Sequence, residues 1–222
     1  MPSIIMKNND VDTEVGPKET SRLEGFSDGV FAIAITLLVL DLIQVVKEKN
    51  DEGLLTHLFN HSNAFLAFAI GFLTILICWI NHHLVFSYIN KVNSTLMWVN
   101  GFVLSMVTFT PFATATLSEY FYSEPHTALA IFGSNFFMIS VAAYGISAYV
   151  YNRHLIKNEN RESFNYFKRL YKYSIFYTFI ILFICFISVS AAIFFYCILF
   201  IVFAYPKEFS IKLSRRRLKK NR

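Results

Sequence analysis

The stretch Arg22-Leu23-Glu24-Gly25-Phe26-Ser27-Asp28-Gly29-Val30-Phe31-Ala32-Ile33-Ala34-Ile35-Thr36-Leu37-Leu38-Val39-Leu40-Asp41-Leu42-Ile43 decides how the rest of the chain is read. It holds an apolar run long enough to cross a bilayer, which takes about 20 residues. Yet it carries Ser27 and Asp28 near its entrance and Thr36 near its middle. An ionisable side chain in a membrane helix is expensive and marks a role.

A helix turns about 100° per residue. On that wheel Phe26, Val30, Ile33, Leu37 and Leu40 form one stripe of large apolar side chains. Gly25, Gly29, Ala32 and Thr36 form a second, small stripe, and its Gly25-x-x-x-Gly29 step lets another helix approach closely. In a symmetric bundle of such helices one stripe faces the axis while the other packs on the neighbour. From periodicity alone, ordinary helix packing is the plainer reading of both stripes, since GxxxG is common in apolar helices. Asp28 lies roughly 140° from Ile33, so it faces helices of its own subunit rather than an axial pore. A buried carboxylate needs partners. Arg22, His82 and His83, expected at the same membrane edge, are the candidates.

Outside this helix the composition points the same way. Of 222 residues, 55% are hydrophobic and 16% charged, with 25 Phe. Soluble domains carry roughly 25% charged residues, and a soluble core of this size could not hide so much apolar surface. The chain therefore reads as an all-α integral membrane protein. Residues 1–21 form a polar arm without an apolar signal segment. The spans fall at about 24–46, 63–88, 96–117 (with Pro111 expected to kink or end it) and 126–151. A basic connection is expected from Asn152 to Lys172. The uncharged block from Tyr173 to Tyr205 is too long for one crossing and reads as two helices with a turn near Ser188–Ala192. The transmembrane region thus runs over residues 22–206, followed by a basic tail at 207–222.

Charge tests this count. With six crossings, every basic residue except Lys47 and Lys49, of 20 in all, falls on one side of the membrane. The positive-inside rule then places both termini in the cytoplasm of a multi-pass cell-membrane protein. The net charge of +5 reflects topology, not nucleic-acid binding. Cys78, Cys185 and Cys197 sit in apolar runs at spacings that fit neither a metal site nor a disulfide framework. Trp79 and Trp98 read as interfacial anchors, and Asn135 as a bond between helices.

Arg22-x-x-x-Phe26-Ser27-Asp28, extended by Gly-Val-Phe-Ala-Ile33-x-x-Thr36-Leu-Leu-Val-Leu40, resembles the signature of the transmembrane protein 175 family of potassium channels, in its prokaryotic single-repeat form. Trp79-Ile-Asn-His82-His83, Asn100 and Phe109-Thr-Pro111-Phe112 are similar to further family elements. The resemblance covers the first three spans. It implies a homotetramer of six-helix subunits with the first helices around a central pore. It implies a hydrophobic constriction at Ile33, Leu37 and Leu40, with the Thr36 hydroxyl beside it, in place of a TVGYG filter. It also implies a bracing network of Arg22, Phe26, Ser27, Asp28, Trp79, His82 and His83. Potassium is then the transported ion, and no fixed metal or other cofactor is implied. The partners are the lipid bilayer and further copies of the chain.

No span carries the Arg/Lys ladder of a voltage sensor, so a leak-type channel with weak voltage dependence is expected. Protonation of His82 or His83 would tune gating through Asp28; two histidines satisfied by hydrogen bonds are the plainer reading. A secondary transporter of a small cation or solute is the alternative, but it calls for broken helices or paired polar groups at mid-membrane. An enzyme is not expected: Asp28, His82 and His83 cluster at one membrane edge with no acid pair, metal spacing or nucleophile elbow.

Overall fold

The computed structural model describes residues 17–48, 53–156 and 160–204. Among the described residues the elements are α1 (Pro17–Leu37), α2 (Val39–Lys47), α3 (Leu54–Asn60), α4 (Ser62–Phe86), α5 (Ser94–Thr108), α6 (Thr110–Tyr120), α7 (Pro125–Asn152), α8 (Arg161–Ile187) and α9 (Val189–Ala204). Five helical segments are long and apolar enough to cross a membrane: Glu19–Lys47, Ser62–Phe86, Ser94–Tyr120, Pro125–Asn152 and Arg161–Ile187. The apolar helix α9 is shorter, at 16 residues. At about 1.5 Å per residue it reaches roughly 24 Å, most of the way through a hydrocarbon core of about 30 Å.

Two of the crossing segments are interrupted and a further break divides α8 from α9, each for a local reason. In the first, the Thr36 hydroxyl bonds back to the Ile33 carbonyl at 2.8 Å. Such back-bonding competes with the helical ladder and bends helices. The ladder breaks two residues on, where the Leu38 amide bonds Ile35 at 3.3 Å, one residue nearer than an α-helix requires. Leu38 then turns into the subunit, where it is buried. Gly71 on α4 makes room, since a Cβ there would stand 2.7 Å from a Leu38 methyl. In the third segment the break falls at Phe109, just before Pro111 in the first turn of α6. Proline cannot donate to a preceding turn, as the sequence suggested. The third break is the extended Ser188 between α8 and α9, at the edge of the Ser188–Ala192 stretch expected to turn.

Two boundaries differ from expectation. The basic connection ends earlier, because α8 begins at Arg161 rather than near Tyr173. Phe164, Phe167 and Tyr171 recur at three- and four-residue spacing and are buried. That stripe makes the basic segment amphipathic and turns it into helix. The polar arm also shortens, because α1 begins at Pro17; Glu19 in its first turn suits the positive end of the helix dipole. Residues 1–16 and the basic tail at 207–222 lie outside the described residues.

The buried side chains form three apolar clusters. One gathers the α4–α5 connection, α7 and the start of α8, around Phe86, Val92, Leu96, Val150 and Phe164. Another joins α6, α7, α8 and α9 around Leu129, Phe132, Ile181 and Tyr196. Gly133 seats the Tyr196 hydroxyl where a Cβ would otherwise stand. The third is Phe31, Ala34 and Leu38 against Ile75, Leu104 and Val107. It holds the first segment onto α4 and α5.

Candidate ion pore

One face of α1 is anchored to the subunit. Ser27, Phe31, Ala34 and Leu38 recur every three or four residues and are all buried. The anchor at the base of this face is a chain of hydrogen bonds. The Ser27 hydroxyl donates to the Leu23 carbonyl at 2.8 Å. Asn100 on α5 donates its amide to Ser27 Oγ at 2.9 Å. Asn100 Oδ1 then faces His82 Nε2 on α4 at 2.8 Å. The direction of the chain settles the tautomer: with Oδ1 an acceptor, His82 carries its proton on Nε2. Its ring lies between Phe31 and Phe86, with centroids 5.3 and 4.3 Å away.

A second ladder runs along the α1–α4 contact. Trp79 Nε1 donates to Asp28 Oδ1 at 2.8 Å. One turn along each helix, His83 Nδ1 meets Glu24 Oε1 at 2.8 Å. The two rungs are a turn apart in opposite chain directions, as antiparallel helices require. Trp79 and His83 also stack on each other at 6.0 Å.

This assigns Asp28 a different partner from the one expected. Arg22 does not reach it and instead pairs with Glu19 at 3.1 Å on an exposed surface. Six residues separate Arg22 from Asp28, which places them roughly 120° apart around the helix, whereas Glu19 lies on Arg22's own side. The two histidines do not meet Asp28 either. Being consecutive, they diverge by about 100°: His82 points inward to Asn100, and His83 outward to Glu24. Phe26 takes no part in the bonding and is exposed. Glu24 went unnoticed in the sequence, although its place one turn before Asp28 signals a shared face. Asn100 drew notice only for its fit to the family pattern; the structure makes it the link between three helices.

The opposite face of α1 has no neighbour within the subunit. Phe26, Ile33 and Leu37 are 63%, 61% and 42% exposed, and Leu40, past the break on α2, is 50% exposed. Val30, placed on the same stripe by periodicity, leans instead against the Phe31 cluster. The small stripe is open too: Ala32 and Thr36 are exposed, and a Cβ at Gly25 or Gly29 would meet nothing within 4 Å. Among the described residues, no group of three or more His, Cys, Asp or Glu side chains could hold a metal ion.

The comparisons with known proteins bear on this face directly. Residues 22–111 match the family described as the endosomal/lysosomal potassium channel TMEM175. A potassium channel of Chamaesiphon minutus is 43% identical over 126 residues, which is 55% of this chain and 62% of that one. A potassium channel of Streptomyces collinus is 46% identical over 116 residues, 51% of this chain and 56% of that one. The chain thus aligns with somewhat more than half the length of these curated relatives. The crystal structure of a lysosomal potassium-selective channel TMEM175 homolog from Chamaesiphon minutus covers 85% of this chain and 97% of its own, at 31% identity and a TM-score of 0.73. The chain belongs to the TMEM175 family. The part matched by the TMEM175 description, residues 22–111, contains the anchored and the open face of α1 together with α4 and α5. The helices beyond it are related through the structural match, which extends over most of the chain.

Proposed function

We propose that four copies of this chain assemble around their first helices into a potassium-selective channel of the cell membrane. Each subunit crosses six times, with α9 as the last crossing and both termini in the cytoplasm. The observation that carries this reading is the open apolar stripe Phe26, Ile33, Leu37 and Leu40 on a helix whose other face is bonded in place. Large exposed apolar patches on a folded subunit mark lipid or partner contacts. Here the adjacent small stripe offers the close approach that a neighbouring first helix needs. The potassium channels among the relatives support the choice of ion.

In such an assembly Ile33, Leu37 and Leu40 form rings of aliphatic side chains. A ring narrow enough to exclude water blocks ions by dewetting, and opening must widen or rehydrate it. Potassium gives up its hydration shell more readily than sodium, so an apolar neck with few replacement ligands passes potassium preferentially. The Thr36 hydroxyl donates to the Ile33 carbonyl in this conformation, and its oxygen is the polar atom nearest the neck. Ser27, Asp28, Trp79, His82 and His83, joined by Asn100 and Glu24, act as the brace of the helix base, while Arg22 and Phe26 stand outside it, Phe26 at the subunit boundary. No charged ladder crosses the membrane, so the current depends weakly on voltage.

Recording from the purified protein in planar bilayers tests the proposal. Unit current steps that reverse near the potassium equilibrium potential are expected. Slow, saturable flux without unit steps would replace the channel by a transporter.

A further inference from the structure

Behind the pore-facing side of α1 lies a cavity of about 80 Å³. Helices α1, α4, α5, α7, α8 and α9 all contribute to its wall. The α1 contribution is Phe31, which sits two residues before Ile33 and hence roughly 160° from it around the helix. Cavity and proposed constriction are therefore the two sides of a single helix, about 10 Å thick.

The wall chemistry is apolar in effect as well as in composition. Most of the polar side chains that line it direct their hydrogen bonds to neighbouring protein groups. Thr74 donates to the Ile70 carbonyl at 2.7 Å. Asn81 donates to the carbonyls of Ile77 and Phe203 at 2.8 and 2.9 Å, and its oxygen accepts from the Tyr171 hydroxyl at 3.3 Å. Ser174 donates to the Tyr171 carbonyl at 2.8 Å. His82 commits Nε2 to Asn100 and keeps Nδ1 buried without a partner, one polar atom where a water needs at least two. A buried water needs two to four polar partners, and apolar cavities of comparable scale stay dry and take up small apolar molecules.

We propose that this cavity is a binding site for a small neutral apolar molecule of a few heavy atoms, such as a short haloalkane, and that occupancy acts on the pore from behind. A ligand there restores the dispersion contacts that Phe31 lacks on its cavity side. It thereby holds α1, and with it Ile33, in the conformation described. Ligands shift a conformational equilibrium only by binding one state better; the occupied subunit favours the narrow neck and carries less current. The effect on current rests on the pore reading, whereas the binding does not.

Bromoethane is the probe, because its bromine can be located by anomalous scattering. In crystals of the whole protein a bromine peak is expected between Phe31, Val107 and Ala143. In bilayers the potassium current should fall by roughly twofold as the site fills. Two variants fill the cavity from different helices: Val107→Phe on α5 and the milder Ala143→Leu on α7. Both should lose the bromine peak and the current response. Absence of the peak in the parent, a lipid chain occupying the space, or the same response in both filled variants would overturn the site. A peak without any change of a measurable current would overturn its action on the pore. A peak in a protein that carries no potassium current would leave the site standing and remove the channel reading instead.

Discussion

The two faces of the first helix differ in almost every physical respect. The inward face carries Ser27 and packs beside Asn100 and His82, three polar residues buried and bonded to one another. The outward face carries Ile33, Leu37 and Leu40, which bond to nothing and are open. A reader looking for ion chemistry would choose the polar face. The geometry gives that face to the scaffold, because each of its polar atoms needs a partner out of water. On the proposed reading it is the aliphatic face that meets the ions. In that proposal residues with little chemistry of their own set what passes, and residues with much chemistry set where they stand.

Breaking the scaffold face should have the largest effect. Asn100→Ala strands both the Ser27 hydroxyl oxygen and His82 Nε2–H in a buried site. Unsatisfied groups of this kind cost about 2 kcal/mol each, so the variant should show a much lower melting temperature and a reduced yield of assembled protein. Melting at the parental temperature would show that the Ser27–Asn100–His82 chain is not what holds α1. Next comes Trp79→Phe, which removes the bond to Asp28 at a half-open site and should lower stability by about 1 kcal/mol; equilibrium denaturation reads the difference. A loss several times larger would mean that Asp28 is far more deeply committed to Trp79 than its surroundings imply. The smallest effect is expected at Arg22. Its pair with Glu19 is exposed, and surface pairs contribute about 0.5 kcal/mol or less, so Arg22→Gln should melt with the parent. A pronounced loss would restore Arg22 to the bracing network from which its geometry excludes it.

How much of this was legible in the sequence follows from the range of each interaction. The division of α1 into faces depends on rotation within a single helix, so Ile33 and Asp28 were separable from spacing alone. The break before Pro111 and the turn at Ser188 are also local. The partner of Asp28 is not. It depends on the register of two helices 51 residues apart in the chain, and nothing within either segment states that register. Asn100 is hidden for the same reason, since its role exists only where α1, α4 and α5 meet. The early start of α8 was within reach: Phe164, Phe167 and Tyr171 have helical spacing, but the surrounding Arg and Lys masked it.

The central claim, that the aliphatic face of α1 governs the ions, is tested most directly by measuring reversal potentials of Ile33→Asn and the parent between potassium and sodium solutions. An amide at this ring offers an oxygen to either ion and wets the neck. The parent should reverse near the potassium equilibrium potential, and Ile33→Asn should reverse much closer to zero. Identical reversal potentials in the two proteins would contradict the account and take Ile33 out of the selectivity mechanism.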